Sequence, residues 1–105
     1  MSQTAAVALV TCPPDHAESL ARHLVDTRVA ACVNIVPAVR SVYRWQDAVQ
    51  ADDEALLLIK HAADSFDALR TEVLARHPYE LPEIVTVHLD RGHTPYLDWI
   101  IANCR

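Results

Sequence analysis

Residues 55–60 read ALLLIK, and this stretch decides the fold because it is apolar at consecutive positions. A short apolar run after a polar segment is typical of a buried β-strand. An antiparallel strand with one face in water should alternate apolar and polar residues. Here Leu56 and Leu58 oppose Leu57 and Ile59, so both faces of the strand need cover.

Three further strands are predicted around this one. They are residues 5–11 (AAVALVT), residues 31–36 (ACVNIV) with a continuation over residues 39–46, and residues 83–89 (EIVTVHL). Pro37 interrupts the second of them and predicts a bulge or an edge position, because proline cannot donate to a strand ladder. The polar residues 47–54 are expected to form the tip of the hairpin that leads into ALLLIK.

Two amphipathic helices are predicted between the strands. The first should begin at Asp15, which with Glu18 resembles a capping box, and the second at Asp64. Their apolar stripes at helical spacing are Ala17, Leu20, Ala21, Leu24 and Val25 in the first helix, and Phe66, Leu69, Val73 and Leu74 in the second. Pro78 ends the second helix because it disfavours the helical conformation at His77.

The element order is therefore β-α-β-β-α-β, followed by a short helix over residues 95–104 after the turn at Gly92. This order predicts an α+β fold, a ferredoxin-like sandwich whose four-stranded antiparallel sheet carries both main helices on one face. At 105 residues the chain holds one core, so residues 1–105 are treated as a single domain. The second face of the sheet is apolar as well, so we expect other copies of the chain to bury it.

Composition excludes several classes of function. The net charge of -5 opposes binding to nucleic acid or to an anionic membrane surface. No apolar run approaches the roughly 20 residues of a membrane span, and the first residues lack the basic opening of a signal peptide. We therefore expect a cytoplasmic protein. The single glycine, Gly92, excludes phosphate-binding loops that need several.

The candidate chemistry is sparse. The three cysteines, Cys12, Cys32 and Cys104, are odd in number and widely spaced, which favours free thiols. No two histidines form a tight metal-binding motif. A thiolate at Cys12 and an imidazole at His77 would suit copper or zinc, but their spacing does not show that they meet. No nucleophile and base form a recognisable pair, so we expect no enzymatic activity.

Several segments together carry a family resemblance. They are TCP (11–13), AACVNI (30–35), SVYRW (41–45), Glu54 with LLLIK (56–60), HPYELPEI (77–84) and YLDWI (96–100). In this ordered set the chain resembles the CutA family, the divalent-cation-tolerance proteins, over roughly residues 6–103. The resemblance implies a homotrimer built like the PII signalling proteins and a role in tolerance of divalent metals, chiefly copper.

The resemblance also suggests site residues. His77 is the first candidate ligand for a divalent copper ion and Cys12 a weaker one, with no cofactor obligatory. A cleft between subunits is expected to be lined by Tyr43, Trp45, Lys60, Tyr79, Glu80 and Trp99. HPYELPEI is thus a stiff connection, a binding site or both. The alternative is a PII-like signalling or scaffold trimer whose clefts bind a small ligand, such as an anion, or a partner protein; a hydrolytic cleft is a weaker third possibility.

The chain departs from the family pattern at four positions. Asp47 stands where glycine is common, and Ala48 stands where lysine often follows. Aspartate tolerates a left-handed backbone better than most residues, so the turn is expected to survive. His61 replaces a usual threonine and His88 a common proline, and the extra imidazoles either add metal affinity or are neutral.

Overall fold

The computed structural model describes residues 4–104, and its elements follow the predicted order. The elements are β1 (Ala5–Cys12), α1 (Ala17–Asp26), β2 (Cys32–Trp45), β3 (Ala48–Ala62), α2 (Phe66–Arg76), β4 (Val85–His88) and α3 (Thr94–Ala102). The strands form one antiparallel sheet in the order β2-β3-β1-β4. This confirms the ferredoxin-like α+β sandwich with an additional C-terminal helix.

The core lies between one face of the sheet and the two main helices. Val10 of β1 and Leu57 and Ile59 of β3 are fully buried in one cluster with Leu24 of α1 and Leu69 of α2. Burying each such side chain stabilises the fold by about 1.5–3 kcal/mol. The predicted helix stripes are correct except at their last positions, because Val25 and Leu74 are 41% and 44% exposed.

The second face of the sheet is covered at one end only. There Ile100 of α3 packs against Ala5 and Ala31. The rest of this face carries apolar side chains that are half-buried or exposed: Leu9, Leu56, Leu58, Val85 and Val87. The predicted excess of apolar surface is therefore present in the folded chain, and α3 removes only part of it.

The hairpin between β2 and β3 differs from the prediction. Residues 47–54 were expected to form a polar tip, but all except Asp47 belong to β3. The turn has only two residues, Gln46 and Asp47, with φ of 52° and 62°. Positive φ at both central residues is the geometry of the tight hairpin turn that matches strand twist. Asp47 thus adopts the left-handed backbone expected of it, and the polar residues are those of an exposed strand.

The last pair between β1 and β3 is Cys12 with Ala55, so the hairpin continues beyond β1 as a two-stranded arm. We call residues 39–54 the hairpin arm. A register shift between Val36 and Val39 marks its base and confirms the predicted bulge at Pro37. Val42 and Val49 on the arm are 67% and 66% exposed. An isolated two-stranded hairpin is marginally stable in water.

The predicted helix starts were wrong in detail. Asp15 and Asp64 lie inside single 3-10 turns, Pro14–His16 and Ala63–Ser65, which precede α1 and α2. The N-cap residues are His16 and Ser65, and neither makes a side-chain cap hydrogen bond. Because a 3-10 turn connects each strand to its helix, Asp15 is not the N-cap residue of α1 and the predicted capping box is not formed. At the other end of α2, His77 is extended as Pro78 requires.

His61, one of the departures from the family pattern, is fully buried on the helix-covered face of the sheet. Its Nδ1–H donates to the Ala62 carbonyl at 2.7 Å, and its Nε2 accepts from the Thr86 hydroxyl at 2.8 Å. Burial is the main cause that lowers the pKa of His61; the hydrogen bond to the Ala62 carbonyl partly opposes it, and the nearby His88 adds a smaller lowering effect. His61 is therefore a neutral packing residue.

We predict that His61 makes the fold sensitive to mild acid. Its folded-state pKa lies below the value of about 6.5 in the unfolded chain. The unfolded state then binds more protons as pH falls below that value, and stability decreases. Thermal melts between pH 7.5 and pH 5 should show a steeper loss of melting temperature for the native chain than for His61→Gln. Equal slopes for the two proteins would contradict this role.

Candidate functional site

A concave surface of about 730 Å³ lies between the hairpin arm and the loop that follows α2. The loop brings residues 78–83 across the end of β1 and against the arm. We call the resulting depression the arm groove. It is lined by Thr11, Ser41, Val42, Tyr43, Arg44, Trp45, Asp52, Glu54, Pro78, Tyr79, Glu80, Leu81 and Glu83.

Two tyrosine–carboxylate pairs organise the groove. The Tyr79 hydroxyl donates to Glu54 Oε2 at 2.8 Å, which ties the loop to the base of the arm. The Tyr43 hydroxyl donates to Asp52 Oδ2 within the arm. Glu54 and Asp52 lie two residues apart on one strand and therefore on the same face. Glu54 is only 6% exposed, so its pair is the inner one of the two.

Both phenols are held as proton donors. Burial raises the pKa of Tyr79 far above its ordinary value, and the hydrogen bond to the Glu54 carboxylate adds to the effect. The hydrogen bond to Asp52 raises the pKa of Tyr43, with a smaller contribution from burial. A phenol that donates to a carboxylate loses that bond when it ionises, which is why both stay protonated.

The groove has a negative electrostatic character. Asp52, Glu54, Glu80 and Glu83 line it, against a single basic residue, Arg44. Within residues 4–104, Arg44 makes no ion pair with these carboxylates. Clefts lined by one sign of charge concentrate ligands of the opposite sign. The arm groove therefore favours cations and opposes small anions.

His77, the first candidate metal ligand, is buried immediately before Pro78 and Tyr79, which line the groove. Its Nε2–H donates to the Thr11 carbonyl at 2.7 Å, and its Nδ1 accepts the Tyr79 backbone N–H at 3.1 Å. These partners fix the neutral tautomer with the lone pair on Nδ1. The ring also packs on Tyr79 with centroids 4.7 Å apart. A metal ion at Nδ1 has to replace the Tyr79 N–H.

Cys12, the weaker candidate, lies at the same end of β1 but is fully buried. Burial raises the pKa of its thiol, and Glu54 and Asp15 raise it further. The thiol is therefore protonated at neutral pH, whereas a metal ligand is a thiolate. Among residues 4–104, no three histidine, cysteine or acidic side chains converge on a metal-binding position. Neither candidate belongs to a preformed metal site within one chain.

The structure brings together four of the six predicted cleft residues and separates the other two. Tyr43, Trp45, Tyr79 and Glu80 all line the arm groove. Lys60 lies towards the opposite end of the sheet, where it donates to the Asn34 side chain. Trp99 lies on α3 and stacks on Tyr96, with centroids 5.6 Å apart.

Sequence reasoning missed the two carboxylates that the hairpin arm contributes to the groove. Asp52 was assigned to a turn and Glu54 was noted only within the family pattern, yet these two carboxylates hold Tyr43 and Tyr79. A signal was present, because Ser41, Tyr43 and Trp45 alternate on one strand face and a neighbouring strand is expected to face them with polar partners.

Comparison with known proteins identifies the family. The model for the CutA1 divalent ion tolerance protein family matches residues 6–103. The divalent-cation tolerance protein CutA of Thermus thermophilus is 47% identical over 98 residues, which cover 92% of this chain and 95% of that relative. Protein CutA of Mus musculus is 39% identical over 94 residues, covering 89% of this chain and 53% of the relative.

Solved structures agree with the sequence comparison. The divalent cation tolerance protein of Thermus thermophilus superposes with a TM-score of 0.93 at 45% identity, covering 96% of this chain and 99% of the other. A CutA protein from Nostoc, described as PII-like, superposes with a TM-score of 0.90 at 33% identity, covering 95% and 97%.

The relatives are named for different compartments. Plant relatives are named as chloroplastic, and a structure from Archaeoglobus fulgidus is described as periplasmic. No helix within residues 4–104 is long and apolar enough to cross a bilayer. The match over nearly the whole chain nevertheless decides the classification: this chain belongs to the CutA1 family of divalent ion tolerance proteins.

Proposed function

We propose that this chain acts in divalent-cation tolerance as a cytoplasmic homotrimer that binds a divalent cation, copper in preference, and that it is not an enzyme. The names of the relatives support the role in tolerance. The observation that carries direct binding is the environment of His77, whose tautomer is fixed by the Thr11 carbonyl immediately beside the acidic groove.

Assembly is supported by what one chain leaves uncovered. The second face of the sheet exposes Val85 and Val87, and the hairpin arm exposes Val42 and Val49. Exposed apolar surface of this extent is typical of an association surface. The sheet also ends in two edge strands, β2 and β4, which can each pair with another chain. The number three rests on the resemblance to PII proteins, and the Nostoc relative is itself described as PII-like.

Copper binding is supported by the way His77 is held. Histidines that bind metal usually donate their other ring N–H to a backbone carbonyl or carboxylate, which fixes the tautomer. The bond from Nε2–H to the Thr11 carbonyl has this form. Glu54 supplies a carboxylate that is connected to the same loop through the Tyr79 hydroxyl. Imidazole nitrogen with carboxylate oxygen suits a divalent copper ion.

A second candidate function is a PII-like signalling or scaffold trimer whose clefts bind a small organic ligand or a partner protein. The observation in its favour is the aromatic lining of the arm groove by Tyr43, Trp45 and Tyr79. The anionic form of this ligand is disfavoured, because four carboxylates line the groove. Thermal melts with metals and with metabolites separate the two candidates: stabilisation by a metabolite and by no metal favours the second.

We predict that the chain is trimeric at low micromolar concentration. Light scattering should give three times the chain mass of 11.7 kDa. Val87→Asp on the exposed face of the sheet should lower this mass, because a charge buried without a partner opposes association. The matched control is Leu74→Asp on the outer side of α2, which should stay trimeric. A native chain that is well folded and monomeric at this concentration would contradict the proposed trimer.

We predict that His77→Gln weakens Cu²⁺ binding by roughly 10-fold or more, as loss of a ligand or of its support commonly does. Isothermal titration of the native chain and the variant measures the change. The control is His16→Gln, since His16 is exposed on the 3-10 turn before α1 and should leave the affinity within about twofold.

Circular dichroism and light scattering on the same samples show whether His77→Gln remains folded and assembled. This matters because the variant also loses the buried bond to Thr11. An unchanged copper affinity in a folded variant would remove His77 from the metal site.

A further inference from the structure

We propose that the arm groove binds a small organic ammonium ion, held between the aromatic rings of Tyr43, Trp45 and Tyr79 and the carboxylates of Asp52 and Glu54. This deepens the second candidate function by naming the ligand class of that groove, and it rests on that function for the purpose of binding. All the residues that line the groove belong to one chain.

The aromatic walls supply one half of the site. Tyr43 and Trp45 lie two residues apart on β2, so their side chains share one face of the hairpin arm. Tyr79 approaches from the loop and is tied to the same arm through Glu54. The three residues are 42%, 37% and 37% exposed, which leaves ring surface open to a ligand. A cation over such a ring is attracted by its quadrupole.

The carboxylates supply the other half. Alternation along β3 and the pairing of Ser41 with Asp52 put Asp52 and Glu54 on the same face of the arm as Tyr43. Each carboxylate accepts one hydrogen bond from a phenol, which orients it, and keeps further lone pairs that can accept from an ammonium N–H. The recognition element is thus an oriented negative group beside an open ring.

The lining of the arm groove, which does not include His77, favours an organic cation over a metal ion or an anion. A metal ion needs several donors at one point, and none converge among residues 4–104. A hydrated metal ion also gains little from the aromatic rings, whereas an alkylammonium ion presents both charge and apolar carbon. Pro78 and Leu81 add apolar surface on the loop side of the groove. The four acidic residues repel anions.

Trp45 offers a direct reporter of binding. The chain has two tryptophans, and Trp99 lies on α3 outside the groove. In a Trp99→Phe background, Trp45 is the only tryptophan. Titration with tetramethylammonium chloride and with n-butylammonium chloride should change its fluorescence saturably. Sodium chloride at equal ionic strength and n-butanol, which has the alkyl chain without the charge, should not.

The carboxylate variants test the site itself. In the Trp99→Phe background, Glu54→Gln should weaken the apparent affinity for n-butylammonium by at least about fivefold, because it removes a charge that contacts the ligand. Asp53→Asn is the matched control, since Asp53 is the neighbouring residue on the opposite face and pairs with Arg40 at 3.0 Å. It should change the affinity by less than about twofold.

A third pair of variants covers the case in which Glu54→Gln disturbs the fold. Tyr43→Phe keeps the ring and should retain ammonium binding, whereas Tyr43→Leu removes the ring and should weaken it. No saturable fluorescence change, the same change with n-butanol, or equal effects of Glu54→Gln and Asp53→Asn would each overturn the proposal. On the same samples, light scattering measures the oligomeric state and copper titration measures the metal affinity, so the assembly and the metal site are tested separately from ammonium binding.

Discussion

The structure depends on one constraint: β3 is apolar on both faces, and the two main helices cover only one. Leu57 and Ile59 are fully buried in the helix-covered core, while Leu56 and Leu58 on the other face remain half-buried. The single additional helix α3 covers only the end of that face, around Ala5 and Ala31. Everything proposed about assembly follows from this imbalance, because apolar surface left in water favours association.

A series of hydrogen bonds at one end of the sheet forms the arm groove. At the end of β1, the Thr11 carbonyl holds His77, His77 accepts the Tyr79 backbone N–H, and the Tyr79 hydroxyl holds Glu54 on the arm. The connection after α2 is thereby attached to the sheet and to the hairpin arm at the same time. Pro78 and Pro82 on either side limit the backbone further. The stretch HPYELPEI is thus a rigid connection whose rigidity builds one wall of a groove.

The fold was largely predictable from the sequence because its strands and helices differ in apolar period and the element order allows few topologies. The errors lie where the turn propensity of a segment competed with strand pairing in the folded chain. Asp52 and Asp53 are typical turn residues, but they pair with Ser41 and Arg40 in the sheet. The turn of the hairpin therefore lies at Gln46 and Asp47. For the site, the predicted cleft residues Tyr43, Trp45 and Tyr79 line the groove, whereas Asp52 and Glu54 were missed because the strand register that faces them toward these rings was read as a turn.

The same contacts also link order in the groove to occupancy by a ligand. Glu54 is almost fully buried and accepts one phenol hydrogen bond, and a buried carboxylate costs free energy unless it is well paired. A bound cation offsets part of this cost and strengthens the attachment of the loop to the arm. Anything that binds the folded groove and not the unfolded chain stabilises the fold by mass action. In the proposed complex, cation binding and the attachment of the loop to the hairpin arm therefore reinforce each other.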